Sequence, residues 1–260
     1  MKRTTNTTRT AFSKGCATAL AAVLVCATVS LTPVEALAKE KPLDLKAVSA
    51  TDLDVRSYHS TLGDYVLNMD IPEIQTNKDS ALVKDTNRQI QKVVDKHLAN
   101  AEKEFTDYKD SFFSTGGTKE DWADRTMYVI VDYDVKYNQK DILSLELTTG
   151  LGWVSFQEAQ HFYNLDLKEN KALTLEDLLG KDYVKICNDS ITKQIKERLA
   201  ADPSLMYFGF GADSTMEGGF KTITADTPFY LNSEGDVVIS FPKYEIAPGA
   251  MGVQEFVIQK

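Results

Sequence analysis

Three histidines, a handful of cysteines and 38 acidic side chains are the chain's material for chemistry. His59, His97 and His161 are too far apart in sequence for a histidine-pair zinc motif. His97 stands beside Leu98 in a stretch with helical apolar periodicity, which assigns it a structural place. His161 lies between Gln160 and Phe162 in a strand-like segment and is a candidate for binding. Cys187 sits in DYVKICNDSITKQI next to Ile186. A nucleophilic thiol needs a positioned histidine, and the local sequence offers none, so a buried thiol is the expected state. Asp132 and Asp134 alternate along the polar side of a strand, as a solvated face does. Asp166-x-Lys168-x-Asn170 lacks the glycine an EF-hand loop needs at its sixth position. Gly209, Gly211, Gly218 and Gly219 do not open a helix after a strand, so they do not form a phosphate loop. No GxSxG elbow occurs. These residues nominate no catalytic group, no metal site and no cofactor. One region does suit recognition: Trp153, Phe156, His161 and Tyr163, with Phe162, gather aromatic side chains in one hairpin region. Aromatic platforms bind sugars and proteins alike, and core packing is the competing use.

The elements that must position these residues read as an α+β fold: antiparallel sheet or sheets packed against one long N-terminal helix and a second helix near 182–201. Residues 52–74 suggest two strands joined near Gly63, with Pro72 ending the second. Asp79 or Ser80 can cap a helix. Its apolar positions Val83, Ile90, Val94, Leu98, Ala101, Phe105, Tyr108 and Phe112 recur at helical steps until Gly116-Gly117. Met127, Val129, Val131, Tyr133, Val135 and Tyr137 then alternate with Asp132, Asp134, Lys136 and Asn138, predicting a sheet with one wet face. A turn at Asn138–Asp141 leads into Leu143, Leu145 and Leu147, which alternate with Ser144, Glu146 and Thr148. A third strand runs to Leu167, so 126–167 reads as an antiparallel meander. Thr174-Leu175-Glu176-Asp177 opens a short helix by side-chain capping. Short strands around 228–231, 237–241 and 253–258 close the chain.

Residues 1–38 read as an export signal. Lys2, Arg3, Arg9 and Lys14 precede an uncharged run, GCATALAAVLVCATVSLT, then Pro33 and the small-x-small site Ala36-Leu37-Ala38. Cleavage is expected after Ala38. A spanning anchor wants about 20 strongly apolar residues, and this run is rich in Ala and Thr; a membrane-held sensor with an uncleaved N-terminus is the alternative. Residues 39–50 read as a linker, 51–150 and 151–260 as the two halves of the exported part. Cys16 and Cys26 fall in the signal, leaving Cys187 with no intramolecular disulfide partner. From residue 39 onward, 37 acidic side chains face 25 basic ones. That balance disfavours nucleic acid and anionic lipid, and suits a cationic partner.

The end of the chain carries a resemblance. Phe229-Tyr230-Leu231, Gly235-Asp236-Val237-Val238-Ile239-Ser240-Phe241, Tyr244-Glu245-Ile246-Ala247-Pro248-Gly249-Ala250-Met251-Gly252 and Glu255-Phe256-Val257-Ile258 resemble the closing signature of the RsiV-type extracellular domain family. This is a domain of unknown function in exported bacterial proteins. Tyr163–Leu167 followed by Leu173–Leu179 resembles that domain's start. Residues 52–150 are similar in layout to the companion domain of RsiV and of the peptidoglycan deacetylase PdaC. The resemblance implies an α+β fold and an exported, non-enzymatic cell-envelope module, secreted or periplasmic. It implies a protein partner such as lysozyme, or peptidoglycan fragments. An envelope hydrolase with an Asp/Glu/His site dispersed in sequence is the alternative. Within the signature, Tyr244, Glu245, Ile246, Ala247, Pro248 and Gly252 are expected to be structural. Pro248 and Gly249 re-aim the chain between two strands, with Tyr244 packed below them.

Overall fold

The computed structural model describes residues 43–44, 52–62, 65–76, 79–153, 156–211 and 218–259. The expected signal, with Ala36 and Ala38, lies outside the described residues. Within the expected linker, Leu43–Asp44 form a two-residue strand, β1.

Seven strands make one sheet in chain order: β1, β2 (Asp52–Leu62), β3 (Tyr65–Gln75), β4 (Met127–Gln139), β5 (Ile142–Gly152), β6 (Phe156–Asp166) and β7 (Lys171–Ala172). The sheet continues across residue 150 without a break. The meander is antiparallel as expected, but β3 and β4 pair in parallel, Tyr65 against Met127 through Met69 against Val131. The helix between them, α1 (Ala81–Ser114), returns the chain to the end where it began. Pro72 does not end β3; it pairs opposite Val55. Proline is tolerated there because the pairing of β3 with β4 stops at Met69, and beyond it β3 has a neighbour on one side only.

Ser80 starts α1 by accepting a hydrogen bond from the Val83 N–H at 3.1 Å. The helix then spans about 50 Å. Val83, Ile90 and Val94 bury against Leu53, Met69, Ile71, Val131, Leu143, Leu145 and Leu147. Ala101 and Phe105 pack farther along with Leu67, Trp122, Met127, Val129 and Leu151. Asn87, in mid-helix, ties the end of β3. Its amide accepts from the Ile74 N–H and donates to the Ile74 carbonyl, both at 2.9 Å. The short helix α2 (Lys119–Ala123) contributes Trp122 to this core.

The expected wet face is covered in part. A second sheet, ordered β10 (Gln254–Ile258), β9 (Val237–Phe241) and β8 (Phe229–Leu231), lies against it. Hence Ser144 and Glu146 are buried rather than solvated. The alternation of β4 also breaks at Lys136, where the register shifts between Val135 and Tyr137. Past that bulge Tyr137 joins the second core and Asn138 is buried. The second core is built on α4 (Tyr183–Ala201), whose Cys187, Ile191 and Ile195 pack on Ile239, Phe241, Phe256 and Ile258. Burial pushes the Cys187 thiol up to about 11, so it stays protonated at neutral pH. Between the sheets α3 (Leu175–Leu179) starts with the capping box read from Thr174 and Asp177.

Both edges of the small sheet are closed by side chains. At β8, Ser144 accepts from the Leu231 N–H at 3.0 Å and Asn164 donates to the Phe229 carbonyl at 2.8 Å. Ser144 in turn donates to Asn164 at 2.6 Å. At β10, Gln194 and Arg198 from α4 donate to the Val257 and Glu255 carbonyls at 2.8 and 2.5 Å. Among the described residues no helix is long and apolar enough to cross a membrane.

Candidate binding site

Of the aromatic residues singled out in the sequence, Trp153, Phe162 and Tyr163 do not share one surface. Trp153 stacks on Phe105 with ring centroids 5.7 Å apart and lies 4.6 Å from Tyr108, at the end of α1. Phe156 opens β6 opposite Gly152. His161 is half-buried, and Tyr163 packs into the core beneath α1. Burial pushes the Tyr163 phenol up to about 12. Phe162 faces the other sheet and stacks on Tyr230 at 5.4 Å.

His97 donates from Nε2 to the Gly150 carbonyl at 3.1 Å, holding α1 to β5. Burial lowers its pKa, and the nearby His161 adds to this. His161 is lowered by burial and then by Lys96. His59 is exposed, with Nε2 3.7 Å from Asp70. For His97 and His161 the folded pKa lies below the ordinary value near 6.5, so both fold best neutral. Their contribution is complete above that value and is lost as pH falls through the lower folded values. Urea midpoints should therefore decline from pH 7 to pH 5. The decline should be shallower in the His97→Gln/His161→Gln double variant.

A polar seam joins the two sheets. Lys136 Nζ lies 2.7 Å from Glu146 and 2.8 Å from Asp134, and 5.1 Å over the Tyr230 ring. Gln160 and Thr148 donate to Glu146 at 2.5 and 3.1 Å. Burial, with Glu255 nearby, pushes the Tyr230 phenol up to about 12. Glu146 is thus saturated by partners of its own chain, which is the arrangement of a structural joint.

The loop after β9 is different. Pro242 turns the chain, its carbonyl accepting from the Glu245 N–H at 3.2 Å. Tyr244 then adopts φ +74°, the left-handed region that a bulky L-residue avoids. Its side chain, expected to pack on Pro248 and Gly249, is 74% exposed. The ring lies against Gly249, where an added Cβ would meet Tyr244 Cζ at 2.1 Å. The strain is held from both flanks. On one side stands β9, and Lys243 reaches Glu158 at 2.9 Å. On the other, Ile246 and Ala247 are buried, and the Ile246 carbonyl accepts from the Phe208 N–H at 2.9 Å. Behind them Pro248 precedes a 3-10 turn, Gly249–Met251, closed by Gly252 at φ +71°. Gln254 fixes this turn by donating to the Met251 carbonyl at 2.7 Å while accepting from Tyr207 at 2.7 Å. A fixed loop thus presents one large, amphipathic side chain to solvent at a cost in backbone energy. Strain of this kind marks functional positions, and tyrosine is favoured at binding hot spots.

Two stretches of the chain match known families. Residues 176–260 match the family described as a protein of unknown function, DUF3298, and residues 62–150 match the family described as deacetylase PdaC. The anti-sigma-V factor RsiV of Bacillus subtilis is 32% identical over 152 residues, covering 58% of this chain and 51% of RsiV. The chain therefore spans about half the length of that curated relative. A DUF3298 family member from Bacteroides fragilis superposes with a TM-score of 0.51 at 16% identity, covering 82% of this chain and 92% of its own. It shares the fold. A family member from Pseudomonas aeruginosa PAO1, 15% identical, gives 0.44 over 84% and 88% of the two chains.

Proposed function

From the premise of an RsiV-like chain with a PdaC-like region, we propose a non-enzymatic module of the cell envelope that captures a protein. The partner is a cationic, lysozyme-like protein, met by the surface around Tyr244. The module acts after export, as the N-terminal 38 residues suggest. The observation that carries this reading is Tyr244 itself, strained at φ +74° and exposed within the family signature. The acid surplus beyond residue 38 supports it, because it would speed encounter with a basic protein and make the association weaken with salt.

The test is a calorimetric titration with lysozyme at two salt concentrations, with muropeptides run in parallel. Wild-type protein should bind lysozyme saturably, and Tyr244→Ala should lose about 2 kcal/mol of binding, roughly thirtyfold. Its thermal midpoint should change little, since Tyr244 is 74% exposed and its contact with Gly249 lies at the surface. Saturable binding of muropeptides alone would replace the protein partner with a glycan. Absence of binding to either would sink the capture reading.

A further inference from the structure

β6 borders the large sheet, and among the described residues most of its outer side is bare. Its inner side pairs with β5 along all 11 residues without a bulge. Outside, β7 reaches only Leu165 and Asp166, and the Leu173 N–H bonds to the Asn164 carbonyl at 2.8 Å. That bond fixes the direction of the strand. Asn164 turns its backbone groups outward, and the two-residue period makes Phe162, Gln160 and Glu158 do the same. Among the described residues nothing bonds to the outward N–H and C=O groups of those three. Natural edges are guarded by lysine, proline, a bulge or a covering element. Residues 156–163, FQEAQHFY, have neither lysine nor proline, and their pairing to β5 is regular. Gln157, Glu158 and Ala159 are exposed. By contrast, the same protein closes both edges of its small sheet with Ser144, Asn164, Gln194 and Arg198.

We propose that β6 is a docking edge at which an extended cationic segment of a partner protein adds a further antiparallel strand. Donors and acceptors alternating at strand spacing are matched by another extended backbone. Charge selects its composition. Glu158, the one formally charged residue of the bare stretch, already meets Lys243 at 2.9 Å, so the selection rests on the field of the whole chain, which from residue 39 has 37 acidic against 25 basic side chains. A second copy of the chain would bring the same acid surplus to the edge, which works against self-pairing. Lys243, next to Tyr244, pairs with Glu158, so the edge borders the Tyr244 surface; slowed edge amides report on the one, and loss of lysozyme binding in Tyr244→Ala on the other.

The experiment follows amide hydrogen exchange by NMR on the purified protein. The probes are a peptide about ten residues long, alternating valine, threonine and lysine, and its analogue with glutamate for lysine. With the lysine peptide, the amides of Glu158, Gln160 and Phe162 should slow about tenfold or more, while Ala159 and His161, already paired to β5, stay unchanged. Glu158→Pro removes one outward donor and spares the β5 ladder; it also gives up the half-exposed pair with Lys243, for which Glu158→Gln, keeping the donor, is the control. The proline variant should weaken the lysine peptide about tenfold with little change in thermal midpoint. The proposal is overturned if millimolar lysine peptide leaves the three amides unslowed, or if the two peptides act alike. It is also overturned if the amides are protected without peptide in proportion to protein concentration, which would make a second copy the occupant. Lysozyme titrated into the same sample reports separately on Tyr244.

Discussion

Lys136→Ala will destabilise the protein by about 3 kcal/mol, as measured by urea unfolding, because it strands a carboxylate beneath the second sheet. Glu146 keeps only 7% of its side chain exposed, and Lys136 Nζ at 2.7 Å is its counter-charge. Burial alone would favour the neutral amine, but hydrogen bonds to Asp134 and Glu146 outweigh it and hold the ammonium above the ordinary lysine range. Lys136 therefore keeps its charge through neutral pH. The expected loss is placed at the lower end for a broken buried pair because Lys136 itself is 21% exposed. The double variant Lys136→Met/Glu146→Leu should recover most of the loss, since an apolar pair needs no compensation. If the double variant is as unstable as the single one, the seam contributes through geometry rather than through charge balance.

Gly219→Ala will cost about 3 kcal/mol or more. Gly219 has φ +80°, and a Cβ there would fall 1.8 Å from the Phe208 carbonyl oxygen. No rotamer relieves a clash with backbone, so one of two segments must move. Phe208 is the residue whose N–H holds Ile246, so the shift would reach the flank that keeps Tyr244 in place. Gly116→Ala is the control. It has φ +96° but nothing within 4 Å, so it should cost only about 1 kcal/mol. The difference between the two variants isolates the close approach from the dihedral. A Gly219→Ala protein as stable as Gly116→Ala would contradict this packing of residues 208 and 219.

Much of the N-terminal fold was legible because its signals are local or periodic. The stripe Val83–Ile90–Val94–Ala101–Phe105 announces α1, and Ser80 and Thr174 announce helix starts through side chains that bond three residues ahead. What stayed hidden depends on partners distant in sequence. Ser144, Glu146 and Asn164 alternate with leucines and a tyrosine as they would on a wet face, and sequence alternation does not distinguish water from the edge of another sheet. The bulge at Lys136 leaves no mark because lysine suits both phases of the strand. Asn87 looks like an ordinary polar helix residue until β3 arrives beside it. The aromatic residues between Trp153 and Tyr163 suggested a platform, but their backbone alternates and α1 claims Trp153 and Tyr163. Tyr244 was read from its motif as a packing residue. It does lie against Gly249, yet 74% of the residue faces solvent, and the motif announces only the first.

The closed edge at β8 bears on how this molecule could be divided or recombined. The matched stretch 176–260 contains β8, but the side chains that satisfy β8, Ser144 and Asn164, belong to β5 and β6. A graft cut at residue 176 would carry away the strand and leave behind the groups that make its burial tolerable. The stretch that recurs in sequence is thus smaller than the stretch that can be transplanted. A chimera meant to work must take the hairpin from Ile142 to Asp166 along with it, or supply a serine and an asparagine at the same two positions of a host sheet.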